Sequence, residues 1–327
     1  MVSELGERRI IELILESLDV MPSMPIPFGD DASAVEIGNE RLAVIKTDML
    51  VGKTDVPPGM TLRQAARKAV VMNISDLASK GAKPVAVLSS IGLPRGVRED
   101  DIREIGLGLN EGAREYGAYV VGGDTNEASD IVISCSALGF CKSSLLMKRS
   151  GAKPGDIVAV TGPFGRTAAG LKILLEKLSA PATIREALVE SVLIPRARLT
   201  EGLALADSGA VTSSIDSSDG LAWSLYELSK ASSVGFLIEE VPTSAEVERF
   251  AENHSLDLVE LGLYGGEEYE LVVTVKPELW GKARESVEKT SGCLIEIGKV
   301  TERKDVLLVT SEGVKAIEAR GWEHFKT

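Results

Sequence analysis

The repeated alternation of strand-like and helix-like segments constrains the fold of this chain most strongly. A short apolar run over residues 41–46 predicts a strand, apolar residues at helical spacing from Leu62 predict a helix, and residues 85–91 predict the next strand. The same alternation recurs in the second half of the chain, where a predicted strand at 211–215 precedes a predicted helix at 221–230. This order predicts a mixed α/β fold.

The length of the chain predicts more than one domain. It has 327 residues, which is more than one hydrophobic core usually sustains. Residues 142–154 are polar and rich in turn formers, and a new strand pattern begins at Asp156. We therefore expect two mixed α/β domains, comprising residues 1–145 and 146–327.

The composition excludes several classes of protein. Lys and Arg number 36 against 49 Asp and Glu, and without a basic cluster we expect no nucleic-acid partner. The apolar runs are shorter than a membrane span and the N-terminus lacks a secretory pattern, so we expect a cytoplasmic protein without a membrane partner. With only two histidines, a histidine-based hydrolase is disfavoured, and any chemistry has to depend on carboxylates.

Acidic residues recur at the ends of predicted elements, many beside glycine. These segments are Gly29-Asp30-Asp31, Thr47-Asp48, Gly123-Asp124 and Asp216 to Asp219, and Asp76 joins them from a predicted helix. Carboxylates without His or Cys are the ligands that Mg²⁺ prefers, and Mg²⁺ usually acts together with substrate phosphates. The set therefore indicates phosphoryl chemistry. For each motif by itself an ordinary loop at the end of a predicted element is the better interpretation, and the sequence does not show that the motifs meet in space.

Three other features each allow two interpretations. The segment Thr161-Gly162-Pro163-Phe164-Gly165 is predicted to be an ordinary turn first and an anion-binding loop second, because it lacks the Lys-Ser/Thr of a phosphate-binding loop. Arg149 is suited to a phosphate through its planar guanidinium, or is a solvated surface residue. Trp322 is interpreted either as an anchor of the C-terminal tail or as a ligand wall.

Taken together, seven motifs resemble the thiamine-monophosphate kinase family, in the same order and over nearly the whole chain. Several of them are shared with the wider ATP-binding superfamily that includes aminoimidazole ribonucleotide synthetase and selenophosphate synthetase. The resemblance implies an N-terminal α/β domain that dimerises through its strands, a C-terminal α/β domain, and ATP bound between them. The motifs are Phe28-Gly-Asp-Asp31, Thr47-Asp-Met-Leu50, Asn73-Ile-Ser-Asp-Leu-Ala78, Gly122-Gly-Asp-Thr125, Arg149-Ser-Gly-Ala-Lys-Pro-Gly-Asp156, Asp216-Ser-Ser-Asp-Gly-Leu221 and Gly265-Gly-Glu-Glu-Tyr-Glu-Leu271.

The resemblance also implies roles for individual residues. Asp55 stands where many members have a histidine, and Glu268 stands where the family motif has an aspartate. The implied metal ligands are Asp30, Asp31, Thr47, Asp48, Asp76, Asp124, Asp216 and Asp219; the implied nucleotide contacts are Gly123, Asp124, Arg149 and Ser218; and the implied substrate contacts are Asp55, Glu267, Glu268 and Trp322.

The implied reaction is the transfer of a phosphoryl group from ATP to thiamine monophosphate in a homodimer, with several Mg²⁺ ions. No side-chain base is expected, because a phosphate monoester with a second pKa of about 6 is largely ionised at neutral pH. Two alternatives remain open. Another enzyme of the same superfamily would select a different acceptor, and a non-catalytic sensor would bind ATP without turnover.

Overall fold

The computed structural model describes residues 2–324, with side chains described from Gly6 onward. Alternating helices and strands follow the predicted order. The helices are α1 (Val2–Leu15), α2 (Gly52–Asp55), α3 (Leu62–Ser79), α4 (Glu99–Glu115), α5 (Arg166–Leu175), α6 (Ala182–Leu193), α7 (Leu199–Ser208), α8 (Leu221–Ser232), α9 (Ala245–His254), α10 (Leu258–Tyr264) and α11 (Trp280–Glu288). The strands are β1 (Ser33–Glu36), β2 (Arg41–Val51), β3 (Lys83–Leu93), β4 (Tyr119–Glu127), β5 (Val132–Lys142), β6 (Ile157–Val160), β7 (Val211–Asp216), β8 (Gly235–Ile238), β9 (Leu271–Val275), β10 (Ile295–Thr301), β11 (Val306–Thr310) and β12 (Gly313–Ala316).

The strands form two sheets. The first has five strands in the order β1-β2-β5-β3-β4, antiparallel except for the parallel pair β3 and β4. The second has seven strands in the order β12-β11-β8-β10-β6-β9-β7, antiparallel except for β11 and β8. The mixed α/β fold class predicted from the sequence is confirmed.

Helix α3 occupies the centre of the molecule. It packs on β2 and β5 of the first sheet and also contacts α7 and β7 of the second half. One cluster of buried apolar side chains extends from α3 through the first sheet to β9 and α7. A helix enclosed on several sides can keep polar residues only if they have partners. The polar side chains of α3 and its C-cap therefore lead to the site described below.

Helix α3 begins at a capping box that the sequence predicts from Thr61 and Gln64. The amide of Gln64 donates to the Thr61 hydroxyl at 3.2 Å, and the amide of Thr61 donates to the Gln64 side chain at 2.9 Å. The helix ends before Gly81, which adopts a positive φ of 67°.

Two of the acidic motifs lie within strands, and the prediction that they occupy loops is wrong. Thr47 and Asp48 belong to β2, and Gly123 and Asp124 belong to β4. The sequence pattern ended both strands where polar residues begin. A strand continues through polar residues when one face or one edge of its sheet is open, because its ladder needs only backbone groups. Among the described residues, no helix has the length and apolar character needed to cross a bilayer.

Candidate active site

Three chain-distant acidic motifs meet at one cavity, and a fourth reaches a cavity next to it. The cavity has a volume of about 740 Å³, and a neighbouring cavity of about 490 Å³ shares Arg149, Asp216, Ser218 and Asp219 with it. Strand β2 contributes Thr47 and Asp48 to the larger cavity, and α3 contributes Asp76. The smaller cavity also contains Asp30. Tertiary folding thus brings together residues that the sequence separates by up to 189 positions, from Asp30 to Asp219.

Asp30 and Asp31 are held by basic side chains from both halves of the chain. Lys80 Nζ lies 2.5 Å from Asp30 Oδ1 and 2.9 Å from Asp31 Oδ2. The guanidinium of Arg149 lies 2.5 Å from Asp31, and the Ser79 hydroxyl donates to Asp31 at 2.7 Å. Burial alone would raise the pKa of Asp31, but the charges of Arg149 and Lys80 outweigh it and hold that pKa below its usual value. Asp31 is therefore ionised at neutral pH.

Asp48, Asp76 and Asp216 surround a second basic group. Lys46 Nζ lies 3.1 Å from Asp48 Oδ1 and 3.2 Å from Asp76 Oδ2, while the Ser75 hydroxyl donates to Asp216 at 2.7 Å. Burial raises the pKa of Asp76 well above its usual value, against the opposing charge of Lys46. Burial, and next the charge of Asp31, raise the pKa of Asp216 to about 7. The ionised forms of Asp76 and Asp216 are therefore costly in the metal-free cluster, and a bound cation would favour them.

The donor set fits a hard divalent cation. Oxygens of Asp31, Asp76 and Asp216 all lie within 4.8 Å of one another, and all three residues are buried. Within the described part of the chain, the buried Oδ1 of Asn73 and the buried hydroxyl of Ser217 have no hydrogen-bond partner. Carboxylate, hydroxyl and amide oxygens are the ligands of Mg²⁺. Asp31, Asp76 and Asp216, with Asp48 beside them, are the residues that would hold it.

Ser218 and Asp219 lie in the loop between β7 and α8, and both line the two cavities. Burial raises the pKa of Asp219 to about 6, and Glu7 adds to the effect. Arg8 approaches Asp219 to 3.9 Å, so α1 closes one side of the site. The Thr47 hydroxyl donates to the Cys135 carbonyl of β5 at 3.1 Å. Thr47 therefore bonds to the neighbouring strand through its side chain and also lines the larger cavity.

Gly123 and Asp124 are not brought to this cavity within one chain. Strand register places Asp48 opposite Cys135, Cys135 opposite Ser89, and Ser89 opposite Gly123. Three strand spacings separate the Cα atoms of Asp48 and Gly123 by about 14 Å. Every residue of β4 is exposed, and β4 forms the edge of its sheet.

The residues predicted to bind substrate occupy different environments. Asp55 lines the larger cavity, but its carboxylate also accepts from the Val51 amide at 2.7 Å. Glu267, at a positive φ of 63°, lies 2.5 Å from the buried Lys68 ammonium group. Lys68 also donates to the Asp55 carbonyl at 3.0 Å. A buried lysine of α3 therefore joins the segments that contain Asp55 and Glu267.

Glu268 faces away from the acidic cluster, at the start of α5. Its carboxylate accepts from the amides of Gly165 at 2.8 Å and Thr167 at 2.9 Å. The residue lines a separate cavity of about 360 Å³. Two amides at the start of α5 that could bind an anion thus already have a carboxylate of this chain as acceptor, and those of Thr161 and Phe164 donate to backbone carbonyls, as in an ordinary turn.

Glu268→Gln is expected to change how stability depends on pH. Burial raises the pKa of Glu268 to about 8, despite its bonds to backbone amides. A folded-state pKa above the unfolded value stabilises the protein at low pH, and this contribution is lost as pH rises to about 8. Glutamine keeps an acceptor oxygen but does not titrate. The melting temperature of the variant should therefore rise relative to the wild type between pH 5 and pH 8 and then level off; a constant difference would contradict this.

Trp322 lies beside the site without lining either cavity. Its amide donates to the Asp219 carbonyl at 3.1 Å, its ring packs edge-on against His324, and the side chain is 51% exposed. The backbone bond ties the tail to Asp219, and the exposed ring stays available to a ligand beside the cavity, so both interpretations from the sequence remain. The neighbouring His324 and Glu323 line the larger and the smaller cavity, respectively.

The sequence analysis missed the lysines and hydroxyls that hold the aspartates. Lys46 follows the apolar run at residues 42–45 of β2, and Lys80 follows a helix whose residues are almost all buried. A lysine inside an apolar pattern is a signal that could have identified both, because a buried ammonium group requires an acidic partner.

The comparisons with known proteins agree with this geometry. Residues 29–141 match the model of the AIR synthase related protein, N-terminal domain, and residues 153–310 match that of the C-terminal domain. A solved structure of AaThiL complexed with AMPPCP and TMP has a TM-score of 0.87 at 28% identity, covering 99% of this chain and 98% of that one. The hydrogenase maturation protein HypE of E. coli, at 20% identity and a TM-score of 0.72, shares the fold and covers 96% and 97% of the two chains.

Curated relatives extend the match over the full chain. A thiamine-monophosphate kinase of Pyrococcus abyssi is 39% identical over 99% of this chain and 97% of its own length. The proteins of the same name from Pyrococcus horikoshii and Bacillus subtilis are 37% and 30% identical, covering 99% and 93% of this chain and 98% and 94% of their own lengths. The chain therefore belongs to the thiamine-monophosphate kinase family.

Proposed function

We propose that this protein transfers the γ-phosphoryl group of ATP directly to the phosphate of thiamine monophosphate, producing thiamine diphosphate and ADP. One observation carries the proposal: Asp48, Asp76 and Asp216 line one cavity, with Asp31 grouped against Asp76 and Asp216, in a chain that is 39% identical, over almost its whole length, to a thiamine-monophosphate kinase. An acidic site of this kind suits two phosphate groups only when cations are present. ATP and Mg²⁺ are thus parts of the same proposal.

The chemistry follows from the charges at the site. Mg²⁺ ions bound by the aspartates would offset the charge of the triphosphate and of the acceptor phosphate and favour in-line transfer. The carboxylates themselves hold the cations, and Arg149 provides a fixed positive charge at the junction of the two cavities. No side chain has to remove a proton, because the acceptor phosphate, with a second pKa of about 6, is already largely ionised. We assign the nucleotide to the side of Arg149 and Ser218.

We assign the acceptor to the side of Asp55 and Glu267, with Trp322 adjacent. The thiazolium of thiamine is a cation, so carboxylates and an indole face are chemically suited to it. Glu268 lies at the start of α5, and we give it only an indirect part in this contact. It holds the turn before α5 while the adjacent Glu267 faces Lys68.

Trp322→Ala is expected to raise the acceptor KM about tenfold and to leave the ATP KM unchanged. A cation–π contact contributes roughly 1–2 kcal/mol when it is desolvated, and about 1.4 kcal/mol corresponds to a factor of ten. Initial rates measured with acceptor and ATP varied separately test this. Trp280→Ala is the matched control, because Trp280 lies on α11 and lines neither cavity of the site. An unchanged acceptor KM in the Trp322 variant would restrict that residue to anchoring the tail.

We further propose that the chain forms a homodimer through the open edge and outer face of the first sheet. Val121 of β4 is 62% exposed, and Leu88 and Met49 on neighbouring strands are more than half exposed. An apolar patch of this kind is typical of a protein interface. A second chain at this edge would also give Gly123 and Asp124 a partner surface. Sedimentation velocity of the full chain would show whether it is a dimer in solution.

The proposed division of the chain into domains at residues 1–145 and 146–327 gives each domain one sheet.

Detection of thiamine diphosphate by mass spectrometry, after incubation with ATP, Mg²⁺ and thiamine monophosphate, tests the function. Unphosphorylated thiamine should yield no product, and γ-labelled ATP without acceptor should leave the protein unlabelled, because transfer is direct. ADP release with a different phosphorylated acceptor only would favour another enzyme of the superfamily. ATP binding without ADP release under any of these conditions would favour a sensor.

A further inference from the structure

Lys46 occupies a position in the acidic cluster where a cation is expected. Its ammonium nitrogen lies between the Asp48 and Asp76 carboxylates, at 3.1 and 3.2 Å, and its side chain is 21% exposed. The residue also lines the larger cavity. Two carboxylates directed at one point form an arrangement that either an ammonium group or a metal ion can neutralise.

The separations at this point match an ammonium group. Nitrogen-to-oxygen distances of about 2.7–3.2 Å are usual for such contacts, whereas Mg²⁺ requires oxygens at about 2.0–2.1 Å. Both carboxylates would have to approach by about 1 Å for Mg²⁺ to replace the ammonium group at the same point. A lysine is also attached to the chain, so it occupies the position at any concentration of free metal.

The charges of the cluster lead to the same conclusion. Among the described residues at its centre, five aspartates face three basic side chains, so with every carboxylate ionised, as a metal ligand must be, the deficit is two positive charges before any phosphate binds. These groups are Asp30, Asp31, Asp48, Asp76 and Asp216, with Lys46, Lys80 and Arg149. One divalent cation would balance the deficit. Without the charge of Lys46 the deficit would be three, which favours a second divalent ion.

We propose that Lys46 is a built-in cation of the metal site. Its ammonium group takes the place of one divalent ion between Asp48 and Asp76, so this chain binds one metal ion fewer than the same fold with a neutral residue at position 46. Lys46 is thus a residue that determines the metal stoichiometry. The inference rests on the proposed function only in assigning the cluster to divalent cations.

Lys80 does not have the same role. It is fully buried, contacts Asp30 and Asp31, and donates to the Ser214 carbonyl at 3.1 Å, so protein atoms enclose it. Lys46 reaches the cavity and faces the Asp76 carboxylate, which is also near Asp31 and Asp216. Of these two lysines, Lys46 is the one whose charge a bound ion could replace.

Counting of bound Mn²⁺ by electron paramagnetic resonance tests the proposal. The full chain and its Lys46→Met variant are titrated with Mn²⁺, first alone and then with a non-hydrolysable ATP analogue. The variant is expected to bind one more Mn²⁺ per chain than the wild type. An equal or smaller number of bound ions in the variant, whatever their affinity, would overturn the proposal.

Matched variants separate charge from shape and folding. Lys46→Arg keeps the charge and should keep the wild-type ion count. Lys53→Met removes an exposed lysine near the cavity and should also leave the count unchanged. If Lys46→Met does not fold, Lys46→Gln tests the same expectation of one additional Mn²⁺ ion per chain, since glutamine removes the charge but keeps hydrogen-bond donors. The count requires no acceptor and no turnover, so a failure to form thiamine diphosphate would overturn the proposed function without deciding the ion count.

Discussion

Asp76→Asn is expected to lower turnover by roughly 10²–10⁴-fold with little change in the fold. The Asp76 carboxylate lies in the group of three buried aspartates and also contacts Lys46. Loss of a ligand to the cation removes several kcal/mol of charge stabilisation in the transition state, and each 1.36 kcal/mol corresponds to a factor of ten. Thiamine diphosphate formation, measured over a range of Mg²⁺ concentrations, gives the size of the loss.

The stability of this variant separates a functional residue from a structural one. Burial raises the pKa of Asp76, which means that its ionised form is costly at neutral pH in the metal-free protein. Asparagine is uncharged and similar in size, so the melting temperature of the metal-free variant should not fall. Asp207→Asn, on the exposed side of α7, is the matched control and should keep full activity. Activity of Asp76→Asn within tenfold of wild type at limiting Mg²⁺ would remove Asp76 from the set of metal ligands.

Arg149→Met is expected to lower kcat/KM for ATP by about 10²-fold or more. The guanidinium donates to Asp31 at 2.7 Å and to the Gly29 carbonyl at 2.8 Å, and it lines both cavities. Hydrogen bonds to charged groups contribute about 1.5–3 kcal/mol each. The loss of both bonds of Arg149 therefore corresponds to a decrease of about 10²-fold or more in kcat/KM. The residue thus holds the loop that contains Asp30 and Asp31, and in the orientation proposed above its positive charge faces the nucleotide.

Separate titrations of ATP and acceptor decide whether Arg149 acts on the nucleotide side. Most of the loss should be in kcat/KM for ATP. The value for Arg149→Lys should lie between those of the wild type and Arg149→Met, because lysine keeps the charge but lacks the planar guanidinium. Arg284→Met, which removes an exposed arginine on α11, should behave like the wild type. An effect confined to the acceptor KM would contradict the proposed orientation of the two substrates.

Local patterns predicted most of the elements near the site. The capping box at Thr61 defines the start of α3, and the apolar spacing that follows it predicts a helix up to Gly81. Strands β3 and β7 and helix α8 also lie close to their predicted positions, because local periodicity and the turn formers that bound these segments define them. In contrast, β2 and β4 continue beyond their predicted ends, since their polar residues face an open cavity or an open edge.

The acidic motifs could be identified from the sequence, whereas the basic residue that pairs with each of them could not. Mg²⁺ chemistry requires oxygen ligands, so aspartates beside glycines indicate such a site without any coordinates. The pairing of Lys46 with Asp48 and Asp76, of Lys68 with Glu267, and of Lys80 with Asp30 depends on which elements pack together.

The sequence by itself determined the α/β class, the family motifs and the residue types available for phosphoryl chemistry, because these depend on local periodicity and composition. Only the tertiary structure decided that Glu268 faces the start of α5, that Asp124 lies on an open edge, and that Lys46 stands among the aspartates. The physical reason is that electrostatic contacts act over a few ångströms in space, and the packing of α3 against both halves sets those distances between residues that are far apart in the chain.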